Sequence, residues 1–137
     1  MLNKVLAISV ISLCGLSAGA MLPQSASAAT GKGIVAKYDK DGDQTLDLAE
    51  VKAAASARFD QLDKDGDGTL DSAEIQGVVG QKAFKAADPD NDGKLSKDEY
   101  LALVEKSFNK VDVDHDGTLS AQELNSKSAH ALKRLID

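Results

Sequence analysis

Four twelve-residue acidic windows recur in one register along this 137-residue chain and leave little of it for anything else. They occupy residues 39–50 (DKDGDQTLDLAE), 63–74 (DKDGDGTLDSAE), 88–99 (DPDNDGKLSKDE) and 112–123 (DVDHDGTLSAQE). Each has Asp at positions 1, 3 and 5, Leu at 8 and Glu at 12, and three have Gly at 6. Nineteen of the 22 acidic residues lie inside the windows, leaving only Asp60, Glu105 and Asp137 outside. A solvated face carries charge runs, but it does not repeat one spacing four times. The net charge of −6 excludes nucleic acid as a partner, because phosphate recognition needs a basic face. Cys14 is the only cysteine and there are two histidines, which excludes a disulfide scaffold, a Cys-based zinc site and a thiol enzyme.

Short carboxylates at alternate positions of a tight loop suit a hard cation, which takes six to eight oxygens at roughly 2.3–2.6 Å. The candidate ligands of the first window are Asp39, Asp41, Asp43, the Thr45 carbonyl, Asp47 and Glu50. Those of the second are Asp63, Asp65, Asp67, Thr69, Asp71 and Glu74. The third offers Asp88, Asp90, Asp92, Lys94 and Glu99, and the fourth Asp112, Asp114, Asp116, Thr118 and Glu123. Position 7 contributes its backbone carbonyl, so its side chain varies, and Glu at 12 reaches back from the following helix with both oxygens. This pattern resembles the EF-hand over nearly the whole chain after residue 28. Gly at position 6 (Gly68, Gly93, Gly117) permits the φ > 0 bend, whereas loop 1 has Gln44 there, with Gly42 at position 4. A left-handed non-Gly residue costs roughly 1–2 kcal/mol, so loop 1 is expected to be the weakest or the last to fill. His115, at position 4 of loop 4, is expected in solvent.

Only 12, 13 and 12 residues separate the loops, about half of what separate exiting and entering helices need. One shared helix must serve both neighbours. Residues 51–62 fit such a helix with Val51, Ala55, Phe59 and Leu62 on one side, and residues 100–111 fit another with Leu101, Val104, Phe108 and Val111. Phe59, Phe84 and Phe108, each four residues before a loop, are expected in the core with Leu46, Leu70, Leu95 and Leu119. Gly77 and Gly80 predict a break in residues 75–87 that folds the segment back. Loops 2 and 3 would then share one end of the molecule and loops 1 and 4 the other. Residues 124–136 are expected to form a short final helix carrying Leu132, Leu135 and Ile136. The fold class expected is all-α: four EF-hand loops fused by short shared helices into a compact antiparallel bundle over residues 29–137.

Residues 1–28 read as a secretory signal peptide, with Lys4, an apolar run from Val5 to Ala20, and the small-x-small site Ala26-Ser27-Ala28. Ser9, Ser12, Gly15, Ser17 and Gly19 dilute the run below what a membrane anchor needs, and Leu13 is bulky for a lipid-modified Cys14. The expected location is periplasmic or secreted, free of the membrane after cleavage.

Fused hands, an export signal and the Asp-Pro-Asp-Asn-Asp-Gly opening of loop 3 (Asp88 to Gly93) resemble the lanmodulin family. That resemblance implies binding of lanthanide(III) ions. The position-9 acids Asp47 and Asp71 match the family's loops; Ser96 and Ser120 do not, and its position-2 proline occurs only as Pro89. The alternative is a periplasmic calcium buffer or calcium-stabilised interaction module without lanthanide selectivity. Calcium or lanthanide(III) ions at up to four sites are the expected cofactors, and no protein partner is indicated. A calmodulin-type groove is rich in Met, yet Met1 and Met21 both lie in the leader. No enzyme motif is present: neither HExxH, nor a nucleophile elbow, nor a phosphate loop.

Overall fold

The computed structural model describes residues 30–137, so the proposed leader lies outside the described residues. Among the described residues six helices and four short strands follow one another: α1 (Gly31–Tyr38), β1 (Thr45–Asp47), α2 (Leu48–Leu62), β2 (Thr69–Asp71), α3 (Gln81–Ala87), β3 (Lys94–Ser96), α4 (Lys97–Val111), β4 (Thr118–Ser120), α5 (Ala121–Leu124) and α6 (Ala129–Ile136). The described residues are mostly helical, but the all-α expectation omits two small sheets. Positions 7–9 of each loop are extended and pair with another loop: β1 with β4, Leu46 opposite Leu119, and β2 with β3, Leu70 opposite Leu95. Both pairings are antiparallel. Alternation along each strand sends position 8 inward, so all four leucines are fully buried. Three residues are too few to carry a strand period in sequence; the partner loop is what makes them strands.

Both long helices begin at a reciprocal cap. The Asp47 side chain accepts from the Glu50 N–H while Glu50 accepts from the Asp47 N–H, and Ser96 and Glu99 do the same for α4. The buried face of α2 is Val51, Ala54, Ala55, Phe59 and Leu62, at helical spacing. On α4 it is Tyr100, Val104, Phe108 and Val111. Tyr100, not Leu101, begins that face: its ring meets Phe59 edge-on at 5.6 Å, and Leu101 is only half-buried. The Tyr100 hydroxyl donates to the Leu135 carbonyl at 2.8 Å, tying α4 to α6. Phe84 is also only partly buried, because α3 is seven residues long and packs at the margin of the core.

The break expected in residues 75–87 is present. Turns run from 72 to 78, Gly77 has φ +84°, and Gly80 is the N-cap of α3. The reversal lets β2 meet β3.

Residues 124–136 are not one helix. Asn125 ends α5, and its Oδ1 accepts the Gly31 N–H at 2.7 Å, so α1 docks where the helix stops. A Cβ at Gly31 would lie 2.0 Å from the Ala121 carbonyl oxygen; only glycine allows this approach. Tyr38 donates to the Ile136 carbonyl at 2.7 Å and Lys37 pairs with Asp137, fastening α1 to α6. Ile34, Val35, Leu132, Leu135 and Ile136 complete the core there.

Candidate metal centres

Each loop is built around its first aspartate, which sits at the C-cap of the preceding helix. The N–H groups of Asp39, Asp63, Asp88 and Asp112 bond to carbonyls four residues back, those of Val35, Phe59, Phe84 and Phe108. The first carboxylate then gathers amides from the loop. Its Oδ2 accepts from position 6 in every case: Gln44 at 2.9 Å, Gly68 at 3.0 Å, Gly93 at 3.0 Å and Gly117 at 3.2 Å. The position-5 amide bonds to the position-3 carboxylate, at 3.2 Å for Asp43 to Asp41 and 3.1 Å for Asp67 to Asp65. The position-7 amide bonds to the position-5 carboxylate at 2.8 Å in all four loops. These bonds curl the acids toward a common centre.

The curl needs two left-handed residues per loop. Position 6 has φ of 69–86° throughout, including Gln44. Position 4 is left-handed as well, at Gly42 (80°), Gly66 (71°), Asn91 (57°) and His115 (59°). Sequence reasoning missed the second position, although two Gly and an Asn there were the signal for it. His115 is exposed, as expected.

Three carboxylates per loop place an oxygen within 4.8 Å of one another: Asp39, Asp41 and Asp43; Asp63, Asp65 and Glu74; Asp88, Asp90 and Glu99; Asp112, Asp114 and Glu123. Glu50, Asp67, Asp92 and Asp116 are not members of these triads. Asp47 and Asp71 are not either; they cap helical turns, Asp47 accepting the Glu50 N–H at 2.7 Å and Asp71 the Glu74 N–H at 2.9 Å. Ser96 and Ser120 do the same in loops 3 and 4 with their hydroxyls. Position 9 therefore has one local role in all four loops, and the five-carboxylate count for loops 1 and 2 includes an acid occupied as a cap.

The position-12 glutamates hold the loop ends together. Their Oε2 accepts the position-9 amide in every loop, and Oε1 accepts the position-2 amide of Lys40 (2.6 Å), Lys64 (2.9 Å) and Val113 (3.0 Å). Pro89 has no amide proton to offer Glu99.

The electrostatics are those of crowded acids. Asp88 and Asp112 are only 5 % exposed, and among the described residues neither forms an ion pair. Oδ1 of Asp112 is buried with no hydrogen-bond partner. A buried anionic oxygen of this kind is stabilised by a cation. The donors around it are all oxygens, the set that suits a hard ion such as calcium. The N–H of Asp43 favours the charged form of Asp41, but desolvation and the charges of Asp43 and Glu50 prevail and raise its pKa. Asp90 is likewise raised: the Asp92 N–H lowers it, while a hydrogen bond with Asp88, desolvation and the Asp92 and Glu99 charges outweigh that. Asp39 is lowered, first by the Gly42 N–H at 2.6 Å. Asp67 is pulled down to about 2, chiefly by Lys94, whose Nζ lies 2.5 Å from its Oδ2.

Comparison with known families agrees with this geometry. The EF hand domain family matches residues 80–107, and a second EF hand family matches residues 56–79 and 103–126. These segments hold loops 2, 3 and 4 and together run from 56 to 126, just over half of the chain. Loop 1 lies outside them, yet its backbone repeats the same bonds despite Gln44. No curated protein matches. With EF-hand families matched at three loops and acid triads closed in all four, the chain carries EF-hand domains whose acidic loops suit a metal ion such as calcium.

Proposed function

We propose that this chain is an exported ion-binding protein that takes calcium, and more tightly lanthanide(III) ions, in four loops, and whose folding is coupled to the ion. The observation that carries the reading is the closed acid triad in each loop, with Asp88 and Asp112 buried without an ion pair among the described residues in two of them. A bound cation supplies the charge that lets these acids sit together. Without it nineteen acids in four short loops repel one another, and helices of 4–15 residues are marginal alone. Support for the lanthanide preference comes from the fused spacing and the density of acids, since attraction to a carboxylate scales with ion charge. Support for export comes from the sequence of residues 1–28. The sequence holds no HExxH, nucleophile elbow or phosphate loop, and EF-hand loops are ion binders, which supports reading the chain as a binder.

The test is a chelator-buffered titration of metal-free residues 29–137 with La³⁺ and Ca²⁺, followed by far-ultraviolet circular dichroism. Helicity should rise with both ions, and at far lower free La³⁺. A signal indifferent to both ions would refute metal-coupled folding.

A second reading, calcium binding without lanthanide selectivity, is favoured by the capping role of Asp47 and Asp71. Changing both to Ser keeps the cap, as Ser96 and Ser120 show, while removing two charges. The lanthanide reading requires this double variant to narrow the gap between the ions; an unchanged gap, or none in the wild type, favours calcium alone.

A further inference from the structure

Position 7 is Thr in three loops, and each hydroxyl bonds the position-5 carboxylate of its own loop: Thr45 to Asp43 at 2.7 Å, Thr69 to Asp67 at 2.6 Å and Thr118 to Asp116 at 2.8 Å. Loop 3 has Lys94 instead. It lies opposite Asp71 in the β2–β3 pairing, and its ammonium crosses to Asp67 of loop 2, 2.5 Å from Oδ2. The amide and hydroxyl of Thr69 already bond Oδ1, at 2.8 and 2.6 Å. Both oxygens of Asp67 are thus engaged, and one of their partners is a cation delivered by the neighbouring loop. In the other sheet the residue opposite Asp47 is Thr118, so loop 1 receives no such charge.

We propose that Lys94 is a built-in counter-cation for loop 2, which weakens that loop's hold on metal ions and weakens it more for trivalent than for divalent ones. The inference rests on the reading of the loops as ion sites. An ion among Asp63, Asp65 and Glu74 shares the loop with an ammonium held by the fold, and the repulsion scales with the charge of the ion. The side chains of Lys94 and Asp67 are 43 % and 36 % exposed, so solvent screens the effect and keeps it modest. Lys94 also makes loop 2 sensitive to loop 3, because the strand that positions the ammonium belongs to loop 3.

The experiment compares wild type, Lys94→Thr and Lys94→Arg, titrated with Ca²⁺ and with La³⁺ from a chelator buffer. Occupancy is read at each loop from the amide resonances of Gly68, Gly93 and Gly117 and of Gln44. Lys94→Thr keeps the position-7 carbonyl and installs the residue the other loops use. It should tighten loop 2 about threefold for Ca²⁺ and about fivefold for La³⁺, a ratio of logarithms near 3:2 set by the ionic charges. Loops 1, 3 and 4 should move less, and Lys94→Arg should stay near wild type. Loop 2 unchanged or weaker overturns the proposal, as does loop 3 tightening as much as loop 2, or equal factors for the two ions. Binding at every loop with loop 2 unmoved defeats this inference alone; no binding at any loop defeats the ion-site reading with it.

Discussion

At the scale of the residue, the left-handed positions rank the loops. Loop 2 meets the two φ > 0 requirements with Gly66 and Gly68, while loops 1, 3 and 4 each place one side chain there: Gln44, Asn91 and His115. Asn and His tolerate that region better than Gln. Gln44→Gly should therefore strengthen loop 1 by about 1 kcal/mol, several-fold in ion affinity, read from the loop 1 amides in a calcium titration. Glu74→Gln removes charge from a member of the loop 2 triad. Even outer-shell partners of a metal cost about 10–100-fold when removed, so loop 2 should lose at least about tenfold. Glu50→Gln should cost less, because loop 1 carries the strained Gln44 and closes its triad without Glu50. Equal losses in a site-resolved NMR titration would refute that order.

At the scale of the element, the loop and its exiting helix share residues. Glu50 and Glu99 are the N3 residues of their helices' capping boxes and the last candidate ligands of their loops. Closing the loop and starting the helix are one event, which is why helicity should report the ion. The sequence holds an unread signal of this, the capping-box spacing of Ser96 to Glu99 and of Ser120 to Glu123. It did not show α1, an eight-residue helix whose glycine-containing sequence has a weak helical preference. Docking of Gly31 on Ala121 and Asn125 supplies what propensity lacks. Gly31→Ala should destabilise the ion-loaded protein by about 1–3 kcal/mol, seen as a lower urea midpoint, since the obstructing atom is backbone and cannot swing away.

At the scale of the whole molecule, Tyr100 joins the long helices to α6 through the Phe59 ring and the Leu135 carbonyl. Burial raises its pKa, while the charge of Arg58 opposes that only in part. A phenol raised in the folded state holds its proton where the unfolded chain has released it. Stability is thus unaffected below the unfolded value of about 10 and is lost as pH rises above it. Urea midpoints should fall steeply between about pH 10 and 11. Tyr100→Phe should flatten that fall at a cost of about 1 kcal/mol at neutral pH for the lost hydrogen bond.

The loops, their acids and the buried face of α2 were legible in the sequence because each is a local pattern: a repeated register of charged residues, or an apolar spacing on one helix. The reversal at Gly77 and Gly80 was legible for the same reason, since glycine acts on the backbone where it stands. Tertiary structure alone decided the rest. The strands exist only where two loops meet, Asn125 stops a helix because α1 docks there, and position 9 caps a turn in all four loops whether it is Asp or Ser. Lys94 reaches Asp67 across 27 residues of chain, a contact made by pairing two strands and invisible to any pattern within either loop.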